Sequence, residues 1–429
     1  MVGQRTVVVV ATLDTKGPEA AFLRDWFAAR GRPARLIDVG LLGAPLCPLG
    51  AGDVPADRVA AAAGTSLWAL RSGRRDAGMA AMGLGAGQIL AGWAADGTLA
   101  GAVGIGGNQG TAIACTALRA LPLGFPKVVV STIASGDIRP FIGASDIAVI
   151  FSLADLLAGP NRVTRGVLSR AAGMLDGMIG AAEEPAVETG LRSTVALTAL
   201  GNTHAAAVRV IEALDRGGFE VVPFHASGAG GAAMERFIGD GVFAGVVDLT
   251  THELLGELYP EDAYAPAEGQ RVVAAGRLGL PQVVAPGGLD YFIFGPPESV
   301  PPRLRERPTH RHNPYNMNVL ARAEERMAVG RLLAERLNAA RGPVAFLYPL
   351  RGWSYIGRAG GLMWDPEAAE AFREALRTTL RGDGVRYREV DANINDPVFA
   401  DEVVREFLDL VREPRDRKDE VDQSWRSSS

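Results

Sequence analysis

The sequence predicts an α/β protein of two Rossmann-like subdomains, with mostly parallel sheets facing a shared cleft. Three observations predict it. Short β-branched runs alternate with longer Ala-rich stretches of helical length, the order that builds parallel sheets covered on both faces. The alternation stops once, at the polar, proline-bearing stretch AAEEPAVET (181–189), and then begins again. A chain of 429 residues is also long for one domain. The expected organisation is a first domain over 1–185, a second over 191–411, and a charged, disordered tail over 412–429.

In the first half, strands are predicted at 6–11, 34–39, 101–105, 127–132 and 146–151. Helices fall near 18–30, 55–71 and 74–95, from 111, and over 153–179. Pro18 suits a first helical turn and Gly31 a helix stop. In the second half, strands are predicted at 194–200, 220–224, 243–249, 282–285 and 344–348. Helices fall at 203–216, 232–238, 318–340, 366–381 and 397–411. Residues 286–315 are rich in Pro, Gly and Arg and read as one long, structure-poor loop, a kind that is commonly functional.

Composition narrows the function. A formal charge of -5 supplies no basic field for nucleic acid. The longest apolar runs are strand-sized, so no membrane span is expected. The start of the chain runs directly into a strand and reads as no secretory signal. Cys47 and Cys115 make no disulfide framework, and a cytoplasmic protein is expected.

Ligands of open parallel sheets bind outside the carboxyl ends of the strands, so the strand-end loops carry the candidates. The first is TLDTKG, with Asp14, Thr15 and Lys16 before a helix whose free N–H groups attract anions; helix capping is the alternative. The second is GGNQGT, where Gly106, Gly107 and Gly110 let the backbone approach a phosphate and Thr111 opens a helix. It is neither a P-loop nor the dinucleotide fingerprint. The third is Ser135, Gly136 and Asp137, which position a ligand or a metal-bound water, or else form a polar turn.

The second half offers His225, Ser227 and Gly228, then Asp248, Thr250, Thr251 and Glu253, then Asp290, then His312 and Asn313. All five histidines (His204, His225, His252, His310 and His312) fall in predicted loops or at strand ends, a placement that suits acid/base or metal work. No zinc motif occurs; Asp248, Glu253 and Asp290 would suit magnesium better. In a last loop, Arg351 would pair with an anion, Ser354 lies beside it, and Trp353 either stacks on a base or caps the core.

Eight strings occur in order: TLDTKG, GGNQGT, STIASGD, FIGASDIAVIFSLADLLAGPNRV, FHASGAGGAAME, DLTTHEL, PQVVAPGGLDYFIFG and HNP. Together they resemble the ATP-binding domain family of the tomato mosaic virus resistance protein and its bacterial relatives, over roughly residues 5–411. The resemblance implies two Rossmann-like subdomains around a cleft, a homodimer, and ATP bound with magnesium. It makes Asp14, Thr15, Lys16, Gly106, Gly107, Gly110, Thr111, Ser135, Gly136 and Asp137 cofactor-binding candidates, with Asp137 for the metal. In the second domain it leaves His225, Asp248, Glu253, Asp290 and His312 as catalytic candidates. Ser227, Gly228, Thr250, Thr251, Asn313, Arg351 and Ser354 become substrate-binding candidates. The chain departs from the family pattern at 200–204, at Met317 and Leu320, and at 351–357, where Gly357 stands in place of a carboxylate.

The leading expectation is therefore an ATP-binding enzyme acting on a small anionic substrate in the inter-domain cleft. One alternative is a non-catalytic ATP-dependent binding protein. Another is a magnesium-dependent hydrolase or lyase using the second-domain His/Asp/Glu loops.

Overall fold

Four consecutive valines make β1 (Thr6–Ala11). Because side chains alternate across a strand, Val7 and Val9 face one layer and Val8 and Val10 the other. Val7 and Val9 pack with Leu23 and Phe27 of helix Leu13–Ala28 and with Leu168 and Leu175 of helix Arg162–Glu183. Val8 and Val10 pack with Met82 and Ala86 of helix Arg75–Ala95 and with Ile113 and Leu118 of helix Asn108–Arg119. All four valines are fully buried, each contributing about 1.5–3 kcal/mol.

The protein is described as a computed structural model covering residues 5–50, 52–184, 192–381 and 384–412. Most of the predicted linker and the tail from residue 413 lie outside the described residues. The chain divides into two units, Met1–Val187 and Glu188–Ser429. No helix among the described residues is long and apolar enough to cross a membrane.

The first unit adds β2 (Ala34–Asp38), β3 (Leu99–Gly106), β4 (Lys127–Ser131) and β5 (Ala148–Phe151). The sheet order is β2-β1-β3-β4-β5, all parallel. The chain leaves β1 to one side and returns to the other, which opens a crevice at the carboxyl ends of β1 and β3.

The second unit contains β6 (Thr194–Ala199), β7 (Glu220–His225), β8 (Gly245–Thr250) and β9 (Gln282–Gly287). After these come β10 (Tyr291–Phe294), β11 (Thr309–Asn313), β12 (Asn316–Leu320), β13 (Val344–Pro349) and β14 (Val385–Val390). Its main sheet runs β14-β13-β9-β8-β6-β7, again parallel, with β6 between β7 and β8 as β1 lies between β2 and β3. Pro223 is tolerated because β7 is an edge strand.

Three sequence readings change here. The stretch 286–315 is not one loop: it carries β10, β11 and two short 3₁₀ turns, and β10 and β11 flank β12 in an antiparallel sheet. Residues 318–320 belong to β12, so the following helix begins at Ala323 rather than 318. The strand VRYREV (β14) went unpredicted; it is an edge strand, and its polar alternation hides it.

Candidate functional site

In the first unit a cavity of about 490 Å³ opens at the carboxyl ends of β1, β2 and β3. This is the crevice the strand order creates, and the size is in the range of small-ligand sites. The loop after β1 contributes Thr12, Asp14, Thr15 and Lys16. The turn after β3 contributes Gly107, Asn108, Gln109 and Gly110. Arg71 and Arg75 enter from two helices, Leu67–Ser72 and Arg75–Ala95. Three cationic side chains thus line the cavity against the single carboxylate of Asp14.

The turn after β3 brings a helix end to the cavity. Helix Asn108–Arg119 has no side-chain cap, so the N–H groups of its first turn are left for a ligand or water. Gly106 makes the approach possible: a Cβ there would sit 2.5 Å from the Gly110 Cα and 2.7 Å from the Thr111 nitrogen. Thr111 itself turns inward, fully buried, with its hydroxyl 2.7 Å from that of Ser131. It fixes the turn and does not line the cavity.

The loop after β1 is tighter than predicted. The helix starts at Leu13, and Lys16 breaks it with φ -122 and ψ 18, so Asp14 and Thr15 form a first turn rather than a free loop. Asp14 Oδ2 accepts N–H bonds from Leu42 (2.7 Å) and Gly43 (3.2 Å), while its Oδ1 is buried without a partner. The Thr15 hydroxyl lies 2.8 Å from that of Thr12. The Lys16 Nζ donates to the Leu156 carbonyl and lies 4.0 Å from Asp155.

Asp38, at the end of β2, went unrecognised in the sequence. It accepts bonds from the Leu13 N–H (3.0 Å) and the Gly40 N–H (2.8 Å), tying together the loops that follow β1 and β2. Burial pushes its carboxyl above the usual carboxylate range, against those two N–H groups. Arg71 and Arg75 were missed as well. Arg71 donates to the Gly43 carbonyl (3.1 Å) and Arg75 to the Gln109 side chain (2.8 Å). The signal was present as RSGRRD, a cluster of arginines at a glycine break between two helices.

Ser135, Gly136 and Asp137 are exposed, and none lines the cavity. Asp137 pairs with Arg139 at 2.9 and 3.0 Å, and the Arg139 hydrogen bonds hold its carboxyl below the usual range. Among the described residues, no group of three or more His, Cys, Asp or Glu side chains is placed to hold a metal ion.

In the second unit, two catalytic candidates belong to a buried ion network. Arg271, fully buried, donates through Nε to Glu253 (2.5 Å), through Nη1 to Glu235 (2.7 Å), and through Nη2 to Asp248 (3.0 and 3.1 Å). Burial opposes its charge, but the three carboxylates outweigh burial and raise its pKa. Glu253 also accepts the N–H groups of Gly228 (2.6 Å) and Gly231 (3.1 Å). The Thr250 hydroxyl meets that of Thr203 (2.8 Å), and the Thr251 hydroxyl donates to the Ala285 carbonyl (3.0 Å). These groups join β6, β8 and β9 at their carboxyl ends.

Asp290 is buried and accepts from the Ser354 hydroxyl, leaving its Oδ1 without a partner. Burial pushes its carboxyl up, against Arg326 and the Ser354 bond. His252, which sequence reasoning noted only among the histidines, is fully buried. Its Nδ1 faces the Gly288 carbonyl (2.7 Å) and its Nε2 faces Asp262 (3.3 Å). Two acceptors leave both nitrogens to donate, which is the imidazolium form. Burial alone would lower its pKa; the charge of Asp262 and its hydrogen bond raise it overall.

His225, His312, Asn313 and Arg351 are at the surface, and Trp353 is not. His225 is exposed, with its ring 6.0 Å from that of Tyr264, and the Ser227 hydroxyl turns back to the His225 carbonyl. His312 and Asn313 are exposed on β11, where Asn313 accepts the Tyr315 N–H (2.8 Å). Arg351 pairs with Asp391 at 2.7 and 2.6 Å in the open. Trp353 caps the core: it is 1% exposed, 4.8 Å from Phe372, with Arg326 over its ring.

The chain matches two family models. Residues 5–184 match the uncharacterised protein family (UPF0261) N-terminal domain, and residues 192–411 match its C-terminal domain. A UPF0261 protein of Rhizobium meliloti (strain 1021) is 39% identical over 410 residues, covering 95% of this chain and 99% of that protein. A UPF0261 protein of Clostridium tetani (strain Massachusetts / E88) is 36% identical over 411 residues, again covering 95% and 99%. The ToMV resistance protein Tm-1(GCR237) of Solanum lycopersicum is 34% identical over 322 residues, covering 74% of this chain and 42% of that protein.

Proposed function

The chain belongs to the UPF0261 family through both of its domains, and from that premise we propose that it is a nucleotide-binding protein whose N-terminal domain holds ATP by its phosphates. The observation that carries the reading is the uncapped helix end at Gly107–Gly110 opening into a cavity that Lys16, Arg71 and Arg75 also line. Oriented N–H groups and fixed cations suit a polyanion, and in a partly closed cavity they act at a lower dielectric than water. Gly106 fits the same role, since the close strand-to-helix turn needs a residue with no Cβ.

Magnesium fits this site as an ion carried by the phosphates, because a single protein carboxylate plus phosphate oxygens is a normal magnesium environment. Asp14 is the carboxylate lining the cavity. The ion would neutralise phosphate charge beside it. Asp137 lies outside the cavity and is held by Arg139, so the magnesium role expected of it is not carried forward.

Isothermal titration of the full chain with Mg-ATP tests the reading. Saturable binding, weakened at least about tenfold in Lys16→Ala, is expected; a charge-assisted contact is worth about 1.5–3 kcal/mol. No heat in the wild-type chain, or undiminished affinity in the variant, would end the proposal.

A further inference from the structure

The cavity lining combines polar and aliphatic groups. Thr12, the helix end at Gly107–Gly110 and the Arg75–Gln109 pair are among the polar groups; a Cβ on Gly110 would lie 4.0 Å from the Thr12 hydroxyl. The aliphatic liners are Val39, Leu41, Leu42, Leu70, Met79 and Ile113. Leu41, Leu70 and Met79 converge, because the Leu41 side chain and the Leu70 backbone both come within 3.3 Å of a Cβ built on Gly78, next to Met79. None of these six side chains carries an N–H or O–H donor or an oxygen acceptor.

Several backbone N–H donors beside these side chains are engaged within the protein. The Val39 N–H donates to the Ala11 carbonyl (3.0 Å) and the Leu70 N–H to the Ser66 carbonyl (3.1 Å). The Gly40 N–H donates to Asp38, and those of Leu42 and Gly43 donate to Asp14. Discrimination between bases needs a hydrogen-bond partner that the wrong base leaves unpaired; aliphatic contact alone separates ligands only modestly.

We infer that this site recognises a phosphate chain joined to any body with an apolar face, and does not read the identity of the base. The inference rests on the nucleotide reading above and names its ligand class: nucleoside polyphosphates irrespective of base. The phosphates give the charge recognition at the helix end, and the aliphatic liners add affinity in proportion to the area they cover.

The test is titration of the full chain with Mg-ATP, Mg-GTP, Mg-UTP and inorganic tripolyphosphate. The three nucleotides are expected to bind within about tenfold of one another, and tripolyphosphate at least about tenfold more weakly. Leu70→Ala, in a helix with no buried residue, should weaken all three nucleotides alike by about fivefold and leave tripolyphosphate unchanged. A spread among the nucleotides wider than tenfold, or tripolyphosphate binding as tightly as they do, would overturn the inference while leaving phosphate binding intact. Failure of all four ligands to bind would instead overturn the nucleotide reading itself.

Discussion

Replacing Arg271 by methionine should strongly destabilise the C-terminal domain. The substitution keeps much of the aliphatic volume and removes only the guanidinium. It leaves Glu253 fully buried, Asp248 2% exposed, and Glu235 at a side-chain exposure of 13%, all without their common cation. Breaking one buried ion pair from one side costs about 3–5 kcal/mol, and here three carboxylates lose their partner together. For a domain of this size that loss corresponds to a fall in melting temperature of roughly 6–20 °C. Urea unfolding followed through the transition that exposes the buried Trp353 is the assay. The sign of the pH effect is also fixed. Uncompensated buried acids have raised pKa values in the folded variant, so its deficit should grow as pH rises and shrink as pH falls from 7 toward 5. A loss below about 1 kcal/mol, or one independent of pH, would refute the view that Asp248 and Glu253 serve the fold rather than a reaction.

Other outcomes follow from single contacts. Gly228 has φ +89, and a Cβ there would meet the Ala265 carbonyl oxygen at 2.3 Å. Gly228→Ala should therefore destabilise the domain by more than about 1 kcal/mol in thermal melts, and an unchanged melt would contradict the geometry. The His252–Asp262 pair stabilises fully below the ordinary histidine pKa of 6.5 and should lose that contribution as pH rises through the raised folded value. NMR titration of His252 should place its midpoint above the ordinary histidine value; a midpoint at or below it would remove the pair. In the N-terminal domain, Gly106→Ala should push the helix end away from β3 and abolish Mg-ATP heat while leaving the C-terminal domain's unfolding transition in place.

The sheets were legible because buried parallel strands read as continuous apolar runs: Val7–Val10 and the valines of β4 can be little else. The GGNQGT turn was legible for a related reason, since only glycine lets strand and helix approach so closely. Arg71 and Arg75 were not, because they enter from helices rather than strand ends, and a run such as RSGRRD reads equally well as solvated charge. The ion network around Asp248 and Glu253 was not legible, because their partner, Arg271, lies 23 and 18 residues further along in a stretch without regular structure. Trp353 left two readings open until Phe372 and Arg326 were seen around it. The sheet of β10, β11 and β12 was obscured by the prolines between its strands.

A crystal of the full chain soaked with Mg-ATP measures the central claim most directly. Phosphate density within hydrogen-bonding distance of the Gly107–Gly110 amides, with Lys16, Arg71 or Arg75 on its oxygens, is the predicted result. Density elsewhere on the chain, with that helix end bound to water alone, would contradict it.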